Sequence, residues 1–174
     1  MSSNVESEAR DEPMRSRPRI HPGYGVTTDE AGMLTWSWAA QRLAEALLYW
    51  AATVNPNGRP HARPVWGVFV EGEIFLENGP SRTRRNLDRN PAVAVHVDRD
   101  DDVVIVEGDA EPAFALPREQ AEQIARAFGA KYGDKGYRPD PEQYQQTDSG
   151  LYRIRPRVAF AWSNFARDST RWTF

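Results

Sequence analysis

Short apolar runs, separated by turns at hairpin spacing, constrain this chain more than any other feature. Leu48 to Val54 reads as a strand and Asn55-Pro-Asn-Gly58 as a turn with the Asn-Gly hairpin signal. His61 to Val70 returns as the next strand, and Glu71-Gly72 turns the chain into Glu73 to Glu77. Pro91 to Val97 and Val103 to Glu111 form a further pair, joined by the acidic, solvated loop Asp98 to Asp102. Arg153 to Trp162 is another strand, and Thr170 to Phe174 a last short one. Helical signals are few. Trp36, Ala39, Ala40, Leu43, Ala46 and Leu47 recur at helical spacing over roughly 35–47. Trp36 and Trp38 on it read either as core or interface anchors or as lining for a cofactor. Pro117 opens a second helix through about Ala130. Gly133 to Ser149 is polar and irregular, with room for one short helix. Many strands and few helices predict a mainly β, α+β antiparallel barrel. Val93-Ala-Val95 and Val103-Val-Ile-Val106 are apolar on both faces, so the barrel is expected to pack against a helix or a second subunit.

The 174 residues suffice for one domain, 31–174, behind an N-terminal tail and connector, 1–30. Met1 to Arg19 is rich in Ser, Glu, Arg and Pro and reads as disordered. His21-Pro-Gly-Tyr-Gly25 is a turn-forming connector. With no cysteine there is no disulfide framework and no thiolate chemistry. His21, His61 and His96 do not fall at metal-ligand spacing, so no metal site is expected. The net charge of −3 argues against broad nucleic-acid binding, so any attraction for anions must be local. No apolar run is long enough to cross a membrane, and the polar N-terminus has no secretion signal, so a cytoplasmic location is expected. Twenty Arg stand against two Lys, a bias of the kind GC-rich genomes produce.

The strongest chemical signal is Gly79-Pro80-Ser81-Arg82-Thr83-Arg84-Arg85-Asn86-Leu87. Its three arginines sit where a strand gives way to a short helix. Helix N-terminal N–H groups and forked guanidinium donors both suit a phosphate. The alternative is a solvated basic turn, with Arg84 paired to Asp88. His61 shares a strand face with Arg63 and Val65 by alternation. It reads either as a tuning or proton-donating group or as a structural one, and His96 as a core or interface histidine.

Several segments together resemble the pyridoxamine 5′-phosphate oxidase-like flavoproteins. Ala52 to Trp66 (ATVNPNGRPHARPVW) is similar to the family's first hairpin. Glu71-Gly-Glu-Ile-Phe75, Ser81-Arg-Thr-Arg-Arg-Asn-Leu87, Asn90-Pro-Ala-Val93 and Val104-Ile-Val-Glu-Gly108 follow in the family's order. Ala159-Phe-Ala-Trp162 and Thr170-Arg-Trp-Thr-Phe174 resemble the ending of its bacterial members. The resemblance implies a six-stranded split barrel of the FMN-binding type, a homodimer with two cofactor sites at its interface. The cofactor implied is FMN, or the deazaflavin coenzyme F-420 as the alternative. It further implies that the strand Arg63, Pro64, Val65, Trp66 runs along the flavin ring through backbone contacts. Glu77 and Asn78 would lie near the ribityl chain. Ser81, Arg82 and Thr83 would hold the phosphate. Arg171 and Trp172 would approach from nearby or from the partner.

Three departures qualify the resemblance. Thr83 stands where pyridoxamine phosphate oxidases proper have Lys, with Arg84 adjacent as a substitute. Val103 stands at the position of a flavin-binding glutamine. No equivalent of the residues gripping pyridoxal phosphate is evident, so vitamin B6 oxidation is not expected. In such proteins the cofactor carries the chemistry and no catalytic side chain is required. The expected function is therefore a flavin- or deazaflavin-dependent oxidoreductase acting on an unidentified small substrate. A non-catalytic flavin or haem carrier is the alternative. Arg85 and Arg89 could serve the acidic tail that distinguishes the deazaflavin from FMN.

Overall fold

In the computed structural model, which describes residues 12–174, six strands close on themselves. They are β2 (Tyr49–Val54), β3 (Pro60–Val70), β4 (Glu73–Glu77), β5 (Ala92–Arg99), β6 (Asp102–Pro112) and β7 (Leu151–Trp162). The order around the barrel is β2-β3-β4-β7-β6-β5, returning to β2, and every pairing is antiparallel. The long β7 makes closure possible: one edge follows β6, while the other takes β4 along Leu151–Ile154 and β8 (Thr170–Thr173) along Val158–Ala161. A bulge between Glu107 and Gly108 bends β6 around the barrel. A Cβ on Gly108 would lie 1.9 Å from the Arg155 carbonyl oxygen, which explains why the Val104–Gly108 segment ends in glycine.

The expected antiparallel barrel is the fold found. Both hairpin turns also form: Gly58 adopts a left-handed φ of 79°, and Glu71 and Gly72 adopt 51° and 78°. Alternation places Tyr49, Val65, Ile74, Leu76, Val95 and Val106 inside. α1 (Trp36–Glu45), capped by Thr35 Oγ1 accepting from the Trp38 N–H at 3.3 Å, packs Ala39 and Leu43 against this core. Trp36 meets Trp172 edge-on at 5.5 Å and Phe174 at 4.9 Å, so it is a core anchor. Trp38 lies under the Arg42 guanidinium at 4.1 Å.

A second core covers the outer face of β3 and β4, where α3 (Arg118–Tyr132) and α4 (Pro141–Gln145) seat Ile124, Phe128, Tyr132 and Tyr144 against Val68 and Phe75. Each such side chain contributes about 1.5–3 kcal/mol. It buries β3 and β4 on both faces, whereas Ala94, Val103 and Ile105, on the outer face of the strands expected to be covered, stay half-buried. The segment 133–149 is thus more ordered than its polarity suggests: a 3-10 turn (Gly133–Lys135) leads to α4, whose Tyr144 is fully buried.

Other boundaries shift. The acidic loop is shorter than expected, because β5 runs to Arg99 and β6 starts at Asp102. α2 (Arg82–Leu87) and α5 (Phe165–Asp168) are single short helices. Of the tail read as disordered, 1–11 lie outside the described residues. Met14–Ser16 departs from that reading, because it forms β1 along β8. Arg17 then donates to the carbonyls of Asp29, Ala31 and Ser169 at 2.7, 2.6 and 2.9 Å. Exposed backbone on β8 supplies the partners that the composition of the tail does not reveal.

Candidate functional site

The site is built at one end of the barrel, where β4 passes into α2. Along β4, Ile74 and Leu76 point inward, and Asn78 continues that face. Asn78 is 2% exposed, yet neither Oδ1 nor Nδ2 has a hydrogen-bond partner among the described residues. Its backbone N–H donates to the Gly150 carbonyl at 2.8 Å, and Gly150 has a φ of 72°. A Cβ there would stand 2.8 Å from the Asn78 carbonyl oxygen, so glycine keeps the two segments together. A buried amide without partners forgoes free energy on both its donor and its acceptor, and a bound polar ligand would satisfy them.

α2 plugs this end. Ser81 Oγ caps it by accepting from the Arg84 N–H at 3.1 Å. Thr83, Asn86 and Leu87 turn inward. Asn86 Nδ2 donates to Thr53 Oγ1 at 3.0 Å and to Asn55 Oδ1 at 3.2 Å, while Thr83 Oγ1 lies 3.4 Å from His61 Nε2. His61 is thereby engaged in the plug. With these three positions turned in, Arg82, Arg85 and Arg89 share the outer side. Together with Arg59, Asn55 and Asn57 they line a cleft of about 620 Å³. Among the described residues, none of Arg59, Arg82, Arg85 and Arg89 pairs with a carboxylate. Four guanidinium groups around one cleft repel each other and favour a bound anion. Arg84 faces away and pairs with Asp148, not with Asp88 as the alternative reading had it. Asp88 accepts from the Tyr152 hydroxyl instead.

β3 adds a second feature. It pairs with β2 from Pro60 to Val65, but its pairing with β4 begins only at Trp66 opposite Glu77. Among the described residues, one backbone edge of Pro60–Val65 is therefore unpaired, alongside the turn that carries Asn78. Arg63 is exposed there, without a partner among the described residues, and Pro64 points outward opposite Trp50. Val65 lies in the barrel core.

The remaining expected residues are turned elsewhere. Trp66 stacks on Tyr132 at 4.7 Å, on the α3 side. Glu77 shares that outer face and accepts from the Tyr137 hydroxyl, the Tyr144 hydroxyl at 3.3 Å and Gln143 Nε2 at 3.4 Å. Burial raises the Glu77 pKa above the ordinary carboxylate range, and the three hydrogen bonds oppose the rise. Trp172 is buried in the barrel core of its own chain. Arg171, on β8, is in register with Phe160, which is in register with Ile105 and through it His96, on the outward face. The fold thus gathers Asn78, Ser81, Arg82 and Thr83 at one corner, with Arg63–Val65 beside it. Of the expected residues only Arg82 lines the basic cleft itself, and Glu77, Arg84, Arg171 and Trp172 of the same chain are neither in it nor at the corner. Arg59 and Asn55 were not anticipated. Only closure of the hairpin against α2 places them, and no spacing in the sequence announces it.

Among the described residues there is no group of His, Asp and Glu able to hold a metal, and no helix long and apolar enough to cross a membrane.

Comparison with curated proteins finds no match. Among solved structures, a conserved hypothetical protein from Mycobacterium tuberculosis is similar at 26% identity, with a TM-score of 0.60, over 78% of this chain and 89% of that one. A FAD-binding protein from Mesorhizobium loti matches at 17% identity and TM-score 0.54, over 79% and 93% of the two chains. A structure described as an F420 reductase matches at 22% identity and TM-score 0.50, over 68% and 93%. The latter two likenesses are of fold. The sequence model for pyridoxamine 5′-phosphate oxidase matches residues 38–163, which is most of the chain. With the closed barrel and the Ser81–Leu87 segment in the same span, the chain belongs to the pyridoxamine 5′-phosphate oxidase family.

Proposed function

We propose that the protein is a flavin-dependent oxidoreductase that binds FMN at the β3–α2 corner and acts as a homodimer on a small, unsaturated substrate. The observation that carries this reading is the conjunction at that corner, among the described residues: the unpaired edge of Pro60–Val65, the partnerless buried amide of Asn78, and Arg82 without a paired carboxylate. Each is a polar group that a planar, phosphate-bearing ligand would satisfy. When bound, the flavin supplies hydride transfer. The chain's own residues bind and orient. Arg82 and Arg63 offer charged donors to a phosphate, with the Ser81 hydroxyl beside them, while buried Thr83 holds the turn against His61 from within. Asn78 offers donor and acceptor to a polyol chain. The open edge of β3 offers backbone N–H and C=O groups to a heteroaromatic ring. Glu77 and Trp66 support the strand from its other face. Arg171 would reach a site only from a second copy, because β8 lies along β7 and away from this corner.

Deazaflavin is the second reading, favoured by one observation. The cleft continues beyond Arg82 to Arg59, Arg85 and Arg89, more positive charge than a single phosphate requires. A cofactor with a tail of carboxylates would use it. Calorimetric titration with FMN and deazaflavin at one ionic strength tests both readings. Tighter binding of FMN supports the first. A deazaflavin dissociation constant at least about tenfold below that of FMN reverses the order. Binding of neither, by a protein that melts cooperatively, removes the redox function. Turnover of a bound, reduced cofactor by an acceptor dye separates an enzyme from a carrier.

A further inference from the structure

Sharing no lining residue with the basic cleft, a second cleft of about 310 Å³ is bounded by the end of α1 and the end of α3. Its walls are Ala44, Val68, Phe69, Ala127 and Ala130, with Glu45 at the rim and Lys131 as the one amine. Lys131 is half-buried, and no carboxylate pairs with it among the described residues. Its Nζ donates to the Tyr49 hydroxyl oxygen and to the Gly67 carbonyl, each at 3.2 Å, and stands 5.0 Å from the centre of the Tyr49 ring. Tyr49 already donates its own proton to the Leu43 carbonyl, so it can only accept from Lys131. The Tyr132 hydroxyl lies in the same cluster, on the Gly67 carbonyl at 2.8 Å. Two acceptors therefore use two N–H bonds. A neutral amine has two, and its remaining lone pair is then free for the cleft. An ammonium would carry a third N–H with no partner assigned to it.

We propose that Lys131 is an imine-forming amine and that its cleft takes a small, uncharged aliphatic aldehyde. The lone pair of Nζ adds to the carbonyl carbon, the oxygen leaves as water with both amine hydrogens, and a reversible C=N bond remains. No oxidant or reductant is needed. The apolar walls favour an alkyl group, and the Glu45 carboxylate at the rim disfavours an anionic carbonyl compound. The cluster shifts the amine in the required direction: burial holds the Lys131 pKa down to about 8, while Tyr49, also buried, is pushed up and stays protonated. The groups facing the amine are Tyr49 from β2, Tyr132 from α3 and Glu45 from α1, and only Glu45 is charged at neutral pH.

The chain has only two lysines, so exposed Lys135 is an internal standard. The full-length protein is treated at pH 7 with limiting propionaldehyde and cyanoborohydride, and modified lysines are mapped by peptide mass. Lys131 is expected to be alkylated at least about tenfold faster than Lys135, because more of it is neutral. Its rate should rise with pH and level off above about pH 8. Glyoxylate, an anionic aldehyde, should label Lys131 more slowly than propionaldehyde does. Equal or faster labelling of Lys135, or a Lys131 rate still climbing steeply past pH 9, overturns the proposal. Tyr49→Phe provides a second readout independent of lysine replacement. It removes one acceptor and should change the Lys131 rate while leaving that of Lys135 alone; an unchanged Lys131 rate contradicts the role assigned to the cluster.

Discussion

A single side chain, Arg82, bears most directly on the proposed site. It heads α2, lines the basic cleft and, among the described residues, has no acidic partner to lose. Charge-assisted hydrogen bonds of the kind it would make contribute about 1.5–3 kcal/mol. Arg82→Ala is expected to weaken FMN binding by about one to two decades with the melting curve unchanged. Unaltered affinity for both FMN and deazaflavin would remove the phosphate assignment. Glu77 gives a prediction in pH. Burial raises its folded pKa above the ordinary value of 4.5, so the folded chain holds that proton more readily than the unfolded one. The stability it contributes is fully present below the unfolded value and is lost as pH rises through the folded one. Glu77→Gln keeps an acceptor for Tyr137 and Tyr144 but cannot ionise. It should be at least as stable as the parent at neutral pH, with a flatter dependence of Tm on pH across the acid range. A variant less stable at neutral pH would show that the carboxylate itself is needed.

Elements, not residues, decide how the barrel end is closed. α2 has only six residues, fewer than two turns, and would not persist alone. It is held because Thr83, Asn86 and Leu87 face inward and Asn86 joins it to β2. Asn86→Ala removes two hydrogen bonds from buried surroundings and should lower stability by about 1–3 kcal/mol. Denaturant unfolding with an unchanged midpoint would mean that the plug is held by packing alone. β1 is the other element whose role exceeds its length. Its pairing with β8 and the three carbonyls held by Arg17 tie the connector to the barrel. Arg17→Ala should therefore reduce the melting temperature by several degrees, about 1–2 kcal/mol in a domain of this size. Tolerance of this change would mark the connector as dispensable, as the composition of the tail by itself implies.

At the scale of the molecule, the outward face of the barrel exposes several large apolar side chains. Leu48, Trp50 and Val54 are 49%, 39% and 40% exposed, and Trp50 stacks on His96 at 6.2 Å. Pro64 lies opposite Trp50 on the same face, beside the open edge of β3. A second copy covering this face would bury those rings and carry its Arg171 toward the corner of the first. Light scattering at micromolar concentration is expected to give the mass of a dimer, and Trp50→Glu to shift it toward the monomer. A monomer with flavin bound would exclude a shared site.

The division between what was legible in the chain and what was not follows from the range of the interactions. Turns, strand alternation and the helical repeat of α1 act over a few residues, so Asn55–Gly58, Glu71–Gly72 and the barrel strands could be read directly. The Ser81–Leu87 segment was legible for the same reason, since cap, charge and helical spacing are all local. Whatever depends on one segment meeting another far along the chain was decided by tertiary structure. Arg84 turns to Asp148, Glu77 to Tyr137 and Tyr144, and Trp172 into the core, and none of these choices has a local signal. The same holds for Arg59 joining the cleft, for β1 finding β8, and for Lys131 sharing two acceptors with the barrel wall. Local chemistry settled which elements form, and barrel closure settled which side chains those elements present to one another.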